Sequence, residues 1–345
     1  MMWSGALHAE EDYIALNEQA AKLVSEKHYT EALEVAFKAL TSAQQKFGAN
    51  SETTDKIALN YATILKIVGR DKDAAAEFEK ARDHYIARYG PRDARLAPIY
   101  FEIGKALSLS SGNDASQALR HAIDLYEHEA GTNDPNYVRA LFQLGYAKAW
   151  VGDFDRASPD YRKALRVSKK IFGEAALITG EAHNAMGQYD FMIGDYRNAE
   201  REYRHAIAIF DAKLPPTDSR ALAARGALVP VYKKLGRTDE AMEQTMELAM
   251  LAPDAEGGGV ALYLGAPDFG FYGTKDFYEG PIDVKFTITA EGKVDHIEFF
   301  GQRSNKANED AVRKALSQWI YKPRVVNGKP VESTAQIRFV VKKPD

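Results

Sequence analysis

The chain contains no cysteine among its 345 residues. That removes disulfides, thiol nucleophiles, cysteine-ligated zinc and a lipidated N-terminal cysteine together, and leaves the compartment open. Long apolar runs are missing too: nothing approaches the ~18 consecutive apolar residues that a membrane span needs. Nor is there a surplus of positive charge. With 45 Lys+Arg against 49 Asp+Glu the net charge is −4, which argues against nucleic acid as a main partner. The histidines fall at no HExxH or zinc-finger spacing, and Gly257-Gly258-Gly259 lacks the following lysine and helix of a phosphate loop. No catalytic residue, metal site or cofactor is therefore expected, and the expected partners are proteins.

What is present suffices for two domains: 45% of residues are hydrophobic and 27% charged. The charge is uneven. Residues 280–345 hold 12 Lys+Arg and 8 Asp+Glu, leaving 33 against 41 for the rest. The first residues end in Leu7-His8-Ala9 ahead of Glu10-Glu11-Asp12. They read either as the end of an export signal whose charged and apolar parts lie outside this sequence, or as a plain disordered N-terminus.

One pattern dominates the first three quarters. Short cassettes end on Ala32, Ala74, Ala115, Ala157, Ala199 and Ala241, at steps of 42, 41, 42, 42 and 42. Seven residues on, a second alanine recurs at Ala39, Ala81, Ala122, Ala164 and Ala206, with Leu248 in the sixth place. Seven residues are two helical turns, so both alanines share one face. A period in this range predicts stacked helix pairs whose neighbours share a continuous core.

The order Gly152, Ala157, Tyr161, Ala164 and again Gly194, Ala199, Tyr203, Ala206, with Gly145 and Gly187 in the first helices, resembles the tetratricopeptide repeat. That unit is usually ~34 residues. The longer form here is similar to the repeats of kinesin light chains, down to Phe47-Gly48, Tyr89-Gly90 and Phe172-Gly173 after the second helices. The resemblance implies a mainly α, right-handed superhelix of helix-turn-helix repeats over residues 10–252. Lys27 and Ser110 replace the turn glycine in repeats one and three, and Pro230 is expected to kink or break the first helix of repeat six. By register with the family, the concave groove would carry Lys56, Thr63, Lys66, Tyr100, Arg139, Tyr146, Asn184 and Gln188. Polar and aromatic side chains mixed in this way suit an extended peptide or a partner helix.

Helical periodicity stops near Pro253, and residues 253–279 read as a linker or irregular lead-in. From 280 the period becomes two. Ile282, Val284, Phe286 and Ile288 point one way; Ala290-Glu291-Gly292 turns; Val294, Ile297 and Phe299 form a second strand. A helix is expected over Asn308–Ile320, stopped by Pro323, and a last strand over Thr334–Val341. The order β-β-α-β makes a small α+β domain over 280–345.

The residues Val284-Lys285-Phe286-Thr287-Ile288, Gly292-Lys293-Val294, Trp319-Ile320-Tyr321-Lys322-Pro323 and Gly328-Lys329-Pro330-Val331 before Arg338-Phe339 resemble the TonB C-terminal domain. That family implies a periplasmic domain of Gram-negative bacteria that docks outer-membrane receptors, whose extended segment adds as a strand to an exposed edge. By analogy the docking edge is Gln336, Ile337, Arg338, Phe339, Val340 and Val341. The family's membrane helix and proline-rich spacer have no counterpart in this sequence, and Phe277-Tyr278-Glu279-Gly280-Pro281 does not match its tyrosine-proline element.

Together these features read as a non-enzymatic periplasmic adaptor or scaffold, connected with TonB-dependent transport at the outer membrane. Its groove would bind one protein partner and its tail domain another. The alternative is a divergent energy transducer TonB whose membrane anchor is not part of this sequence. A reading from another class is a regulatory subunit, or an enzyme built from groove carboxylates.

Overall fold

The structure is a computed structural model that describes residues 12–252, 260–267, 280–301 and 305–341. Leu7-His8-Ala9, the glycine run 257–259 and Phe277-Tyr278-Glu279 lie outside the described residues. Twelve helices come first, in six pairs. They are α1 (Tyr13–Ser25) and α2 (Tyr29–Phe47), α3 (Glu52–Ile67) and α4 (Asp71–Tyr89), α5 (Leu96–Leu107) and α6 (Gly112–Leu125), α7 (Pro135–Trp150) and α8 (Phe154–Phe172), α9 (Leu177–Met192) and α10 (Tyr196–Asp211), α11 (Ser219–Lys234) and α12 (Thr238–Leu251). A π-helical turn, Tyr126–Ala130, ends α6.

The alanine period exists because helices touch at those positions. All six cassette alanines and Ala39, Ala81, Ala122, Ala164 and Ala206 are buried. The facing small residue in the first helix is as constrained. A Cβ on Gly145 would stand 2.8 Å from the Tyr161 ring, and one on Gly187 3.0 Å from Tyr203. Replacing Ala164 by leucine is accordingly expected to overpack the stack and cost about 1–3 kcal/mol. The same change at exposed Lys170 should cost under about 0.5 kcal/mol. Equal melting temperatures for the two variants would refute this register.

Two of the irregular repeats resolve differently. Lys27 adopts the left-handed turn itself, at φ 64°, where its counterparts are Gly69, Gly152, Gly194 and Gly236. Pro230, expected to kink or break its helix, lies inside α11, which runs on to Lys234. Its neighbours Leu228, Val229 and Val231 are buried, and that packing offsets the ~3 kcal/mol a mid-helix proline costs.

Contact density divides the chain between Ala182 and His183, inside α9. In the N-terminal unit one core runs through Leu65, Phe78, Leu96, Ile103, Leu119, Tyr126 and Leu141. A buried carboxylate, Asp55, receives Arg88 and lies 2.7 Å from His84 Nδ1, tying α3 to α4.

In the C-terminal unit the last repeats share their body with a small α+β module. Its strands are β1 (Val260–Tyr263), β2 (Gly280–Ile288), β3 (Val294–Phe300), β4 (Ile320–Lys322), β5 (Arg324–Val326), β6 (Lys329–Val331) and β7 (Ser333–Val341), with helix α13 (Lys306–Leu316) between β3 and β4. The main sheet is antiparallel in the order β3-β2-β7. Ile282, Val284, Phe286 and Ile288 point from β2 into a core closed by Val312, Leu316 and Trp319.

Three differences from the expected β-β-α-β stand out. The helix starts at Lys306 and ends at Leu316, so Ile320–Lys322 is a strand and not helix. The lead-in, read as irregular, supplies β1, which pairs antiparallel with β4. Asn327 and Gly328, at φ 51° and 71°, turn the β5–β6 hairpin in the left-handed conformation such two-residue turns require.

The β1–β4 ribbon joins the module to the last repeat. Ile320 packs in one cluster with Leu228, Val231, Tyr232, Ala241 and Leu248, with Leu262 and Tyr263 of β1 against it. Lys322 Nζ donates to Ala252 O at the end of α12, 2.9 Å, and Tyr321 N to Gly292 O, 2.9 Å.

Candidate docking surfaces

An edge strand can take a partner only if its outward backbone groups are free, so the orientation of β7 matters first. Thr289 N donates to Lys293 O, 2.8 Å, so odd-numbered residues of this strand turn their N–H and C=O toward β3. The register shift between β2 and β3 places the extra residue on β3, and β2 stays regular. Its even residues therefore face β7, where Ile282, Val284, Phe286 and Ile288 oppose Phe339, Ile337, Ala335 and Ser333. By alternation, Thr334, Gln336, Arg338 and Val340 direct their backbone N–H and C=O away from the sheet. Pro281 fits: it is odd, and its absent donor falls on the β3 side beyond the last β2–β3 pair.

The side chains divide the same way. Ala335, Ile337, Phe339 and Val341 pack on the module's core, whereas Thr334, Gln336, Arg338 and Val340 are exposed. Arg338 makes a two-pronged bond to Asp283 directly across the ladder, 2.6 and 3.0 Å, which holds the Asp283 carboxyl below the usual range.

The two edges of the sheet are not equivalent. β7 is nine residues long and pairs without interruption. β3 has its register shift and His296 at φ 46°, and Arg313 Nη1 from α13 donates to Ile297 O, 3.0 Å. A bulge and a side-chain cap are devices that blunt an edge. Among the described residues β7 is the open edge.

In the N-terminal unit a cavity of about 460 Å³ opens between α3 and α5. Leu59, Phe78, Pro98 and Ile99 line it, with Lys56 and Thr63 on its wall. Lys56 is paired to Glu52, 2.9 Å, and the Thr63 hydroxyl donates to Leu59 O of its own helix, 2.9 Å. Lys66 meets Glu102, which also lines the cavity and is bridged by Lys105 at 3.0 Å. Burial works to raise the Glu102 carboxyl, but Lys105 and Lys66 hold it below its ordinary range. Arg139 forks onto Glu181, 2.7 and 2.9 Å, and Tyr146 stacks on Trp150 with centroids 6.0 Å apart. Asn184 and Gln188 lie past the boundary on α9; the Asn184 Oδ1 is buried without a partner among the described residues, and Gln188 is exposed.

Tyr100 does not join that wall. Its ring lies tilted against His121, centroids 5.1 Å apart, in a separate cavity lined from α4, α5 and α6. Counting from the small contact residues Ala62, Gly104 and Gly145 explains the difference. Lys56 and Arg139 come six before, Thr63 and Tyr146 one after, but Tyr100 four before, which is another helix face. Lys105, one after Gly104, holds the matching place in α5 and was missed, as was its partner Glu102; that count is the signal that finds Lys105. No group of His, Asp or Glu side chains among the described residues is placed to hold a metal ion.

Comparison with known proteins matches two stretches of the chain. Residues 137–212 match the tetratricopeptide repeat, and residues 275–341 match the C-terminal domain of the Gram-negative bacterial TonB protein. The chain thus carries tetratricopeptide-like repeats followed by a TonB C-terminal-like domain. The TonB-like domain is 36% identical over 64 residues to the TonB protein of Pseudomonas aeruginosa, covering 19% of this chain. The chain spans only 19% of that TonB's length. Among solved structures, a Podosopora anserina protein with nearly identical TPR-like repeats, described as a kinesin light chain, aligns over 57% of this chain and 93% of its own at TM-score 0.51 and 12% identity. The Rap conjugation gene regulator of plasmid pLS20, in complex with the Phr* peptide, covers 70% of this chain and 74% of its own at TM-score 0.50 and 14% identity. At such identities the likeness is of the array's fold alone. The two matched families are protein-binding domains. No helix among the described residues is long and apolar enough to cross a membrane.

Proposed function

We propose that the protein is a periplasmic adaptor in which the TonB-like domain takes an extended segment of an outer-membrane receptor along β7 while the repeat groove holds a second protein. The observation that carries this reading is the asymmetry of the sheet: β3 is bulged and capped by Arg313, and β7 presents four residues with outward backbone groups. At ~1 kcal/mol net per main-chain hydrogen bond, less the cost of ordering the segment, strand addition here gives weak to moderate affinity. The peptide complex of the Rap regulator supports a peptide-binding role for the groove by analogy of fold.

The test is titration of the full chain with peptides from the plug-domain N-termini of outer-membrane receptors, followed by amide shifts. Shifts are expected along β7. Gln336→Pro removes one outward donor and turns its ring toward the incoming strand, so affinity should fall about tenfold or more with the fold intact. Gln336→Ala should change little, because the backbone carries the attraction. Shifts confined to α13, or no binding by any receptor peptide, would sink the docking function.

The likeness to a TonB protein supports a second reading, an energy transducer. An anchor helix and a proline-rich spacer encoded upstream of Met1 would favour it; a cleavable signal there would favour the adaptor.

A further inference from the structure

Tyr85 reaches the cavity between α3 and α5 from α4. It is 4% exposed, and its hydroxyl has no hydrogen-bond partner among the described residues. A buried hydroxyl in this state costs free energy, so its place calls for a reason. Packing is not that reason. Eleven residues after the cassette alanine the place is Tyr85 in repeat two and Phe210 in repeat five, and Phe210 is buried there without a hydroxyl. In repeat three the same place is Tyr126, whose oxygen is sealed in protein; that of Tyr85 opens on the cavity. Burial pushes the Tyr85 hydroxyl up and the Glu52 charge adds to this, so it keeps its proton and can donate as well as accept.

The other lining groups define the ligand. Two acids and two bases line the cavity, Glu52, Glu102, Lys56 and Arg95. Each is already matched: Glu52 takes Lys56 at 2.9 Å and the Tyr89 hydroxyl, Glu102 takes Lys66 and Lys105, and Arg95 forks onto Asp93 at 2.8 and 3.0 Å. Among these lining residues no charge of either sign is left for a ligand, and a charged ligand would lose water without compensation. Phe78 and Ile99 are buried in the lining, with Leu59 and Pro98 beside them, so the body of the ligand is apolar. At a water's share of ~30 Å³ per atom, 460 Å³ holds about fifteen non-hydrogen atoms, more than one side chain supplies. Such a volume falls in the ~300–1,000 Å³ of small-molecule pockets, which set a few polar groups in apolar walls.

We propose that this cavity is a site for one uncharged small molecule, an apolar body with a hydrogen-bonding group set on the Tyr85 hydroxyl. The site lies within residues 52–102 and needs no protein partner, so the adaptor reading can fail without it. The probe is N-phenylnaphthylamine, uncharged and carrying a single N–H, titrated into the full chain and followed by its own emission. Anilinonaphthalene sulfonate, which adds one negative charge to the same rings, is the comparator. The uncharged probe is expected to saturate at one molecule per chain and to bind about tenfold or more tighter than the sulfonate. Tyr85→Phe should weaken it about five- to tenfold, as loss of one hydrogen bond does. Circular dichroism and melting should be unchanged, since the ring and its packing stay. His121→Ala, in the separate cavity, should leave binding as it is. Absence of binding, equal binding of the sulfonate, indifference to Tyr85→Phe, or an equal loss on His121→Ala overturns the proposal. If a captured protein partner is lost on Tyr85→Phe while the naphthylamine does not bind, the cavity belongs to a partner's side chain and the small-molecule site falls.

Discussion

With aspartate in place of Ile320, the C-terminal unit is expected to lose about 4 kcal/mol or more. Ile320 is 2% exposed and touches Leu228, Val231, Tyr232 and Leu248 on one side and β1 on the other. A carboxylate there meets no cation, and taking up a proton to escape the charge leaves the cost of burying a polar group in an apolar site. The lost side chain adds its own packing cost. The same substitution at Val326, 38% exposed, should cost little. Urea unfolding followed by the emission of nearby Trp319 reads both. An Ile320→Asp variant as stable as the parent would mean that the module does not pack on the last repeat as described.

A second large effect is expected at Gly292, in the β2–β3 turn. Its φ is 84°, and a Cβ there would stand 2.1 Å from Tyr321 O and 3.3 Å from a methyl of Thr245 in α12. Gly292→Ala therefore combines the ~1–2 kcal/mol of left-handed strain with a backbone clash that the β4 strand cannot relieve without moving, about 3 kcal/mol or more together. Gly328 supplies the comparison. It has φ 71° with nothing within 4 Å of a built Cβ, so Gly328→Ala should show the strain alone. A difference of about 2 kcal/mol between the two alanine variants measures the close approach; equal losses would remove it.

The period of the alanines was legible because the helix contacts it encodes recur with the same neighbours, Gly145 on Tyr161 and Gly187 on Tyr203. Strands β2 and β7 were legible because one face of each is buried. What escaped depended on partners distant in sequence. Val260–Tyr263 is four residues, too short for a period, and is a strand only because Ile320–Lys322 lies beside it. The helix end at Leu316 escaped for the same reason: Trp319 satisfies a helical pattern, yet its indole donates to Gly265 O, 2.7 Å, from the lead-in. Pro230 broke a local rule that the surrounding core overrode. Of the groove residues, Tyr100 lies in a separate cavity between α4, α5 and α6, because its place four before Gly104 is on another helix face from Lys56 and Arg139, six before their own small residues. The outward backbone groups of β7 follow from a single hydrogen bond, Thr289 to Lys293, and no side-chain pattern encodes which parity is free.

The cap that Arg313 places on Ile297 sets a limit on valency. A sheet with two open edges can accept a strand on each side and so link copy to copy without end. With β3 bulged and its Ile297 carbonyl taken by Arg313, a strand added at β7, as proposed, would complete the sheet. Binding should saturate at one segment per molecule, and a high local concentration of extended peptides should give discrete complexes rather than fibres.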